Sequence, residues 1–137
     1  MYIKCDKKDE GGDCMIFLAV CDFLIPITMM AIGLVYRNRS PKDINKLHGY
    51  RTTRSMKNQE TWDFAQKKFG KVALIDGIIM LAISIAIVCF SISKGKDGFA
   101  WISFALIMVQ ITMMIFAIYF VEKALKKNFD ENGIRKL

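Results

Sequence analysis

Residues 45–62 read Asn45-Lys46-Leu47-His48-Gly49-Tyr50-Arg51-Thr52-Thr53-Arg54-Ser55-Met56-Lys57-Asn58-Gln59-Glu60-Thr61-Trp62, and the same polar, basic and aromatic character continues to Gly70. The stretch separates apolar runs: residues 15–36 precede it, and residues 72–93 and 99–121 follow. About 20 apolar residues at a rise of about 1.5 Å each cover a hydrocarbon core of about 30 Å. Lipid offers the backbone no hydrogen bonds, so each run must close its own as a helix. Three such blocks in 137 residues leave too little polar surface for a soluble bundle. The sequence predicts an all-α integral membrane protein of one domain with three transmembrane helices. Helix 1 covers about 14–36, a basic and partly helical loop 37–70, helix 2 about 71–93, helix 3 about 99–121, and a charged tail 122–137.

A net charge of +7 would point to nucleic acid in a soluble chain, but here its distribution carries the meaning. The segment before Cys14 is net −1, whereas residues 37–71 hold ten Lys and Arg against Asp43, Glu60 and Asp63. The tail after Val121 adds five basic residues against three acidic ones. Lys and Arg near helix ends stay on the cytoplasmic side. The expected topology is multi-pass, with the amino terminus outside and the loop and carboxyl terminus in the cytoplasm. The partner implied is the bilayer with its anionic headgroups, not nucleic acid. The first apolar run is too long for a signal-peptide core, lacks a small-residue cleavage pattern and has an acidic flank, so it reads as an uncleaved anchor.

Cys5, Cys14, Cys21 and Cys89 show no close pairing, and His48 is the only histidine. A zinc site needs about four ligands at suitable spacing, so no metal or cofactor is expected. The thiols read as packing or lipid-facing groups.

Two carboxylates and one side-chain amide fall inside the spans: Asp22, Asp76 and Gln110. Pro26 lies four residues after Asp22, so its ring removes the helical hydrogen bond to the Asp22 carbonyl. The Asp22 carboxyl has two readings, a ligand or proton site within the membrane, or a group near the outer headgroups reached by water; the second is favoured. Asp76, near the inner interface, is expected to pair with a loop cation, Arg51 first. Gln110 sits mid-membrane and should hydrogen-bond to another helix. Gly70, Ala73, Gly77 and Ser84 form a stripe of small residues for close helix approach, and Ser103, Gln110 and Ala117 mark the inward face of helix 3. Within the loop, Gly49 permits an unusual backbone shape, and Asn58 caps a helix running from about 59 through 93. Glu60 lies in its favourable first turn, and Trp62 and Phe69 are placed as interfacial anchors. The tail around Phe129-Asp130-Glu131-Asn132-Gly133 reads as a solvated stop.

The loop resembles the SdpI family, bacterial membrane proteins named for an immunity protein against the SDP cannibalism toxin of Bacillus. The resemblance rests on Pro41 and Asn45, Gly49-Tyr50-Arg51-Thr52, Ser55-Met56-Lys57-Asn58, Glu60-Thr61-Trp62, Ala65 and Gly70-Lys71, with Pro26 and Gly33 in the preceding helix. Thr53 stands where many relatives carry proline, and the chain reads as one three-helix unit, without the extra amino-terminal helices of the named member. The resemblance implies a bacterial cell membrane, immunity to a membrane-active toxic peptide met on the outer side, and signalling through a cytoplasmic regulator.

Asn45, Gly49, Tyr50, Arg51, Thr52, Arg54, Ser55, Asn58, Glu60 and Trp62 are thus the candidate signature residues. Arg51 has two open readings: recognising a ligand, or locking the loop onto helix-end carbonyls, since its planar fork suits both. Two functions stand against each other, immunity and a membrane scaffold whose basic loop recruits a regulator or binds anionic lipid. One histidine and two carboxylates at different depths give no hydrolytic constellation, so an enzyme is not expected. Transport by a lone three-helix unit would require an oligomer.

Overall fold

The computed structural model describes residues 10–39, 41–44 and 47–136. They form three helices: α1 (Glu10–Asn38), α2 (Gln59–Ile92) and α3 (Gly95–Asn128). Each is long and apolar enough to cross a membrane. The expected start of the second helix, with its extension toward the loop, is met. By contrast, α3 runs seven residues past the expected end of the apolar run. A helix does not stop at the edge of hydrocarbon when its next turn still has a core to pack against. Here Leu125, 1% exposed, continues the buried face.

α1 lies chiefly against α2, α3 covers the other side of α2, and α1 and α3 touch least. The predicted stripe of small residues makes the first contact close. Gly70, Ala73, Gly77 and Ser84 are all buried. A Cβ at Gly33 would lie 2.5 Å from the Leu74 nitrogen, and one at Gly77 would lie 2.7 Å from Met30. Without a hydrophobic drive between helices in lipid, backbone approach of this kind supplies the attraction. On α3, Ser103, Gln110 and Ala117 face inward as expected, joined by Phe99, Leu106 and Val121. Large apolar side chains such as Phe17, Leu24, Ile85, Phe104 and Ile115 point outward, as a surface facing lipid requires.

One polar junction ties all three helices. The Gln110 side-chain nitrogen donates to the Asp22 carbonyl at 2.8 Å and to the Ser84 hydroxyl at 2.9 Å. Ser84 in turn donates to the Met80 carbonyl. The carbonyl released by Pro26 is therefore the acceptor that Gln110 takes. α1 runs unbroken through Pro26 because the lost bond is replaced from α3.

Asp22 departs from the favoured expectation of a water-reached carboxylate. It is 0% exposed, and neither carboxyl oxygen has a hydrogen-bond partner among the described residues. Ser103 of α3 is buried as well, its hydroxyl likewise without a hydrogen-bond partner among the described residues. Cys14, Cys21 and Cys89 are free thiols, while Cys5 lies outside the described residues.

Gly33→Ala is expected to destabilise the protein by about 1–3 kcal/mol through overpacking. Gly12→Ala, where a Cβ meets nothing within 4 Å, should be neutral or slightly stabilising. Thermal unfolding in detergent checks the pair, and a Gly33→Ala protein as stable as the parent would contradict the close α1–α2 approach.

Candidate functional site

The signature segment is folded into the end of the bundle where α1 stops, α2 starts and α3 finishes. Its framework begins with Asn58, whose side-chain oxygen accepts from the Thr61 amide at 2.9 Å while the Thr61 hydroxyl accepts from the Asn58 amide at 3.1 Å. This reciprocal cap fixes the first turn of α2. Glu60 occupies that turn and meets Arg135 at 3.5 Å; both side chains are more than half exposed, so the pair adds little.

Upstream, Thr52 and Ser55 cap each other. The Ser55 hydroxyl accepts from the Thr52 amide at 2.8 Å and lies 3.0 Å from the Tyr50 carbonyl, to which it donates, and the Thr52 hydroxyl accepts from the Ser55 amide at 3.2 Å. Ser55 is wholly buried, so these bonds replace water it cannot reach.

The residue that holds this turn against the bundle is Gln66, which sequence reasoning missed. Its side-chain oxygen accepts from the Tyr50 amide at 2.8 Å, and its nitrogen donates to the Tyr50 carbonyl at 2.8 Å. Gln66 is 0% exposed. Its signal was a polar residue inside the apolar stripe Trp62, Ala65, Phe69 and Ala73, at the spacing of one helix face. Gly49 is required beside it. Its φ is +116°, and a Cβ there would lie 3.0 Å from the Gln66 oxygen and 3.1 Å from Trp62.

Tyr50 then reaches across to α3. Its hydroxyl donates to Glu122 at 3.0 Å, and its ring packs on Phe69 with centroids 5.2 Å apart. Burial, the nearby Glu122 charge and this hydrogen bond push the phenol above its ordinary range. Trp62 corrects an expectation: it is not an interfacial anchor but 0% exposed, with its indole nitrogen donating to the Pro41 carbonyl at 2.9 Å. The loop folds over Trp62 and takes it out of the interface. Phe69 is half-buried between Tyr36 and Tyr50.

The tail likewise is no solvated stop. Phe129 is buried and packs edge-on against Phe64, with centroids 5.4 Å apart. Asp130 accepts from the amides of Asn132 and Ile134, closing a turn in which Gly133 has φ +82°. The Gly133 carbonyl accepts from the Asn58 side chain at 2.8 Å, and Lys57 donates to the Glu131 carbonyl. The tail thus buttresses the α2 cap from about 75 residues away in sequence.

The structure therefore brings Gly49, Tyr50, Thr52, Ser55, Asn58 and Trp62 into one interlocked unit. Arg51 is exposed and Arg54 half-buried on its surface. Asn45 lies outside the described residues. Arg51 does not pair with Asp76: Asp76 has one carboxyl oxygen buried without a hydrogen-bond partner among the described residues, and its side chain opens on a groove between α2 and α3. Asp76 also lies eight residues, about 12 Å, along α2 from the Ser84 junction that marks the level of Asp22, so the two carboxylates form no pair. Among the described residues no group of three or more His, Cys, Asp or Glu could hold a metal ion.

The family model described as the SdpI/YfhL protein family matches residues 42–120. The chain belongs to this family, and with its three apolar helices it is a multi-pass membrane protein. It is similar to the uncharacterized protein YfhL of Bacillus subtilis strain 168, at 30% identity over 57 residues. That match covers 42% of this chain and 52% of YfhL, so the chain spans about half the length of the curated relative it matches. No solved structure matches.

Gln66→Leu is expected to cost about 1–3 kcal/mol, because the buried Tyr50 amide loses a partner it cannot replace with water, while the Tyr50 carbonyl is left with Ser55 alone. Limited proteolysis should then cut within 47–57 while the helices stay intact; uncut loop and unchanged stability would contradict the clamp. A second outcome concerns pH. The raised Tyr50 phenol contributes stability fully present below about pH 10, the unfolded value, and lost as pH rises through the higher folded value. The advantage of the parent over Tyr50→Phe, about 1–2 kcal/mol near neutrality, should shrink above pH 10 in unfolding measured in detergent. An advantage constant to the alkaline limit would contradict the Tyr50–Glu122 bond.

Proposed function

We propose that this protein confers immunity or resistance to a membrane-active antimicrobial peptide on a bacterial cell. Membership of the SdpI/YfhL family supports the reading, through the SdpI resemblance of the signature. The observation that carries it is the contrast within that signature. Its backbone is clamped by Gln66, Ser55 and the Asn58 cap, while Arg51 stands exposed on the clamped turn. An arginine on a rigid turn loses little entropy on meeting a carboxylate or phosphate, and its fork gives that contact direction.

On the positive-inside rule the signature and tail face the cytoplasm, the amino terminus lies outside, and a cytoplasmic regulator is the natural partner of the signature. The peptide would meet the opposite half of α1, where Ile16, Val20, Phe23 and Ile27 line a shallow apolar depression. The action is by binding, without a cofactor or catalytic group.

A second reading, a membrane scaffold that recruits an acidic regulator or anionic lipid, draws on the docking of the tail onto the loop. This brings Lys57 of the loop and Arg135 of the tail to the same end of the bundle.

Survival of a sensitive Gram-positive host separates the two. The host expresses the chain and is challenged with an SDP-type peptide and with unrelated pore-formers. Selective protection is expected, lost in Arg51→Ala at unchanged membrane level. Arg51→Lys should retain only part of it, since a lost charge-assisted bond of about 1.5–3 kcal/mol is roughly tenfold or more in affinity. Absence of protection by well-expressed parent protein would sink immunity to that toxin and leave the scaffold, to be pursued by capture of cytoplasmic partners.

A further inference from the structure

The groove that Asp76 opens on has a volume of about 670 Å³. Val72, Ile75 and Ile79 of α2 form one wall and Met113, Phe116 and Phe120 of α3 the other. Lys68, Lys123 and Lys127 rim its end nearest the signature loop. An adjoining basin of about 560 Å³ adds Lys67 and Lys71 to the rim. The Ser84–Gln110 bond sets the register of these antiparallel helices. Counting thirteen residues toward the loop on each helix brings Lys71 level with Lys123, and counting seventeen brings Lys67 level with Lys127. Five cations therefore gather within about 6 Å of depth, and none of them forms an ion pair with a described residue. Like charges at that spacing repel unless an anion joins them.

We propose that this groove binds one anionic phospholipid, with the phosphate among Lys68, Lys123 and Lys127 and an acyl chain along the apolar walls below. The dimensions fit. From Lys68 to Ile79 is eleven residues, about 17 Å, and one leaflet of a hydrocarbon core of about 30 Å is about half that core. The lysines lie at the ends of the apolar runs, where the headgroup phosphates are. A second copy of the chain fits worse, because a symmetric mate would bring its own five lysines to the same level. A cationic peptide would have to pass the lysine rim to reach Asp76.

The test is native mass spectrometry of the full chain in neutral detergent. Phosphatidylglycerol is compared with phosphatidylcholine of the same acyl chains and with water-soluble glycerol 3-phosphate. One phosphatidylglycerol is expected to stay bound in clear preference to phosphatidylcholine, with no retention of glycerol phosphate. Lys68→Gln/Lys127→Gln should weaken its retention roughly 10- to 30-fold. Lys42→Gln/Lys126→Gln, which removes the same charge outside the groove, should leave retention unchanged, with the fold of both checked by thermal unfolding. Asp76→Asn should bind at least as tightly. The proposal is overturned by equal retention of the two lipids, by equal loss in the two double variants, by binding of glycerol phosphate alone, or by loss in Asp76→Asn, which would make the occupant a cation.

Discussion

The side-chain amide of Gln66 lies wholly inside the protein and meets the backbone of one residue, Tyr50, with both its donor and its acceptor. A buried amide has no alternative partner in water, so the cost of separating the two is the cost of desolvated polar groups left alone. Everything at this end of the bundle is arranged to keep that contact. Gly49 supplies the backbone shape and the space, Ser55 shares the Tyr50 carbonyl, and the Asn58 cap fixes where α2 begins and hence where Gln66 points. Tyr50 then carries the constraint to α3 through Glu122, and the tail closes the far side of the cap. The loop is long because it is folded, its polar bonds acting beside an apolar cluster that joins Tyr50 to Ala65, Val121, Leu125 and Phe129.

The same rule acts in the middle of the bundle. Pro26 takes a hydrogen bond from α1 at a depth where lipid cannot replace it, and Gln110 supplies the substitute while also holding Ser84. One side chain thereby repairs a helix and fixes the register of its neighbours. That register lines up the lysines at the loop end.

Much of this was legible in the sequence where a local pattern reports directly on a physical need. Three apolar runs gave three spans, Asn58 gave the start of α2, the Gly70–Ser84 stripe gave the close face, and the Asp22–Pro26 spacing gave the freed carbonyl. The remainder depends on contacts between distant positions, which no period records. Trp62 has the composition of an interfacial anchor and becomes a core residue only because the chain near Pro41 passes over it. The tail reads as solvated until Phe129 meets Phe64 and Gly133 meets Asn58. Arg51 and Asp76 are complementary in charge, but Arg51 lies exposed on the clamped turn, while Asp76 opens on the groove between α2 and α3. Gln66 escaped notice because a single polar residue in an apolar stripe carries no spacing of its own.

Hydrogen–deuterium exchange at the Tyr50 amide bears most directly on a loop held from within. In the parent protein this amide should be protected to the level of the α2 core, far beyond the exposed amides around it. In Gln66→Leu its protection should collapse while that of α1, α2 and α3 persists. Exchange of the Tyr50 amide in the parent as fast as its exposed neighbours would contradict the clamp, and with it the rigid display of the signature.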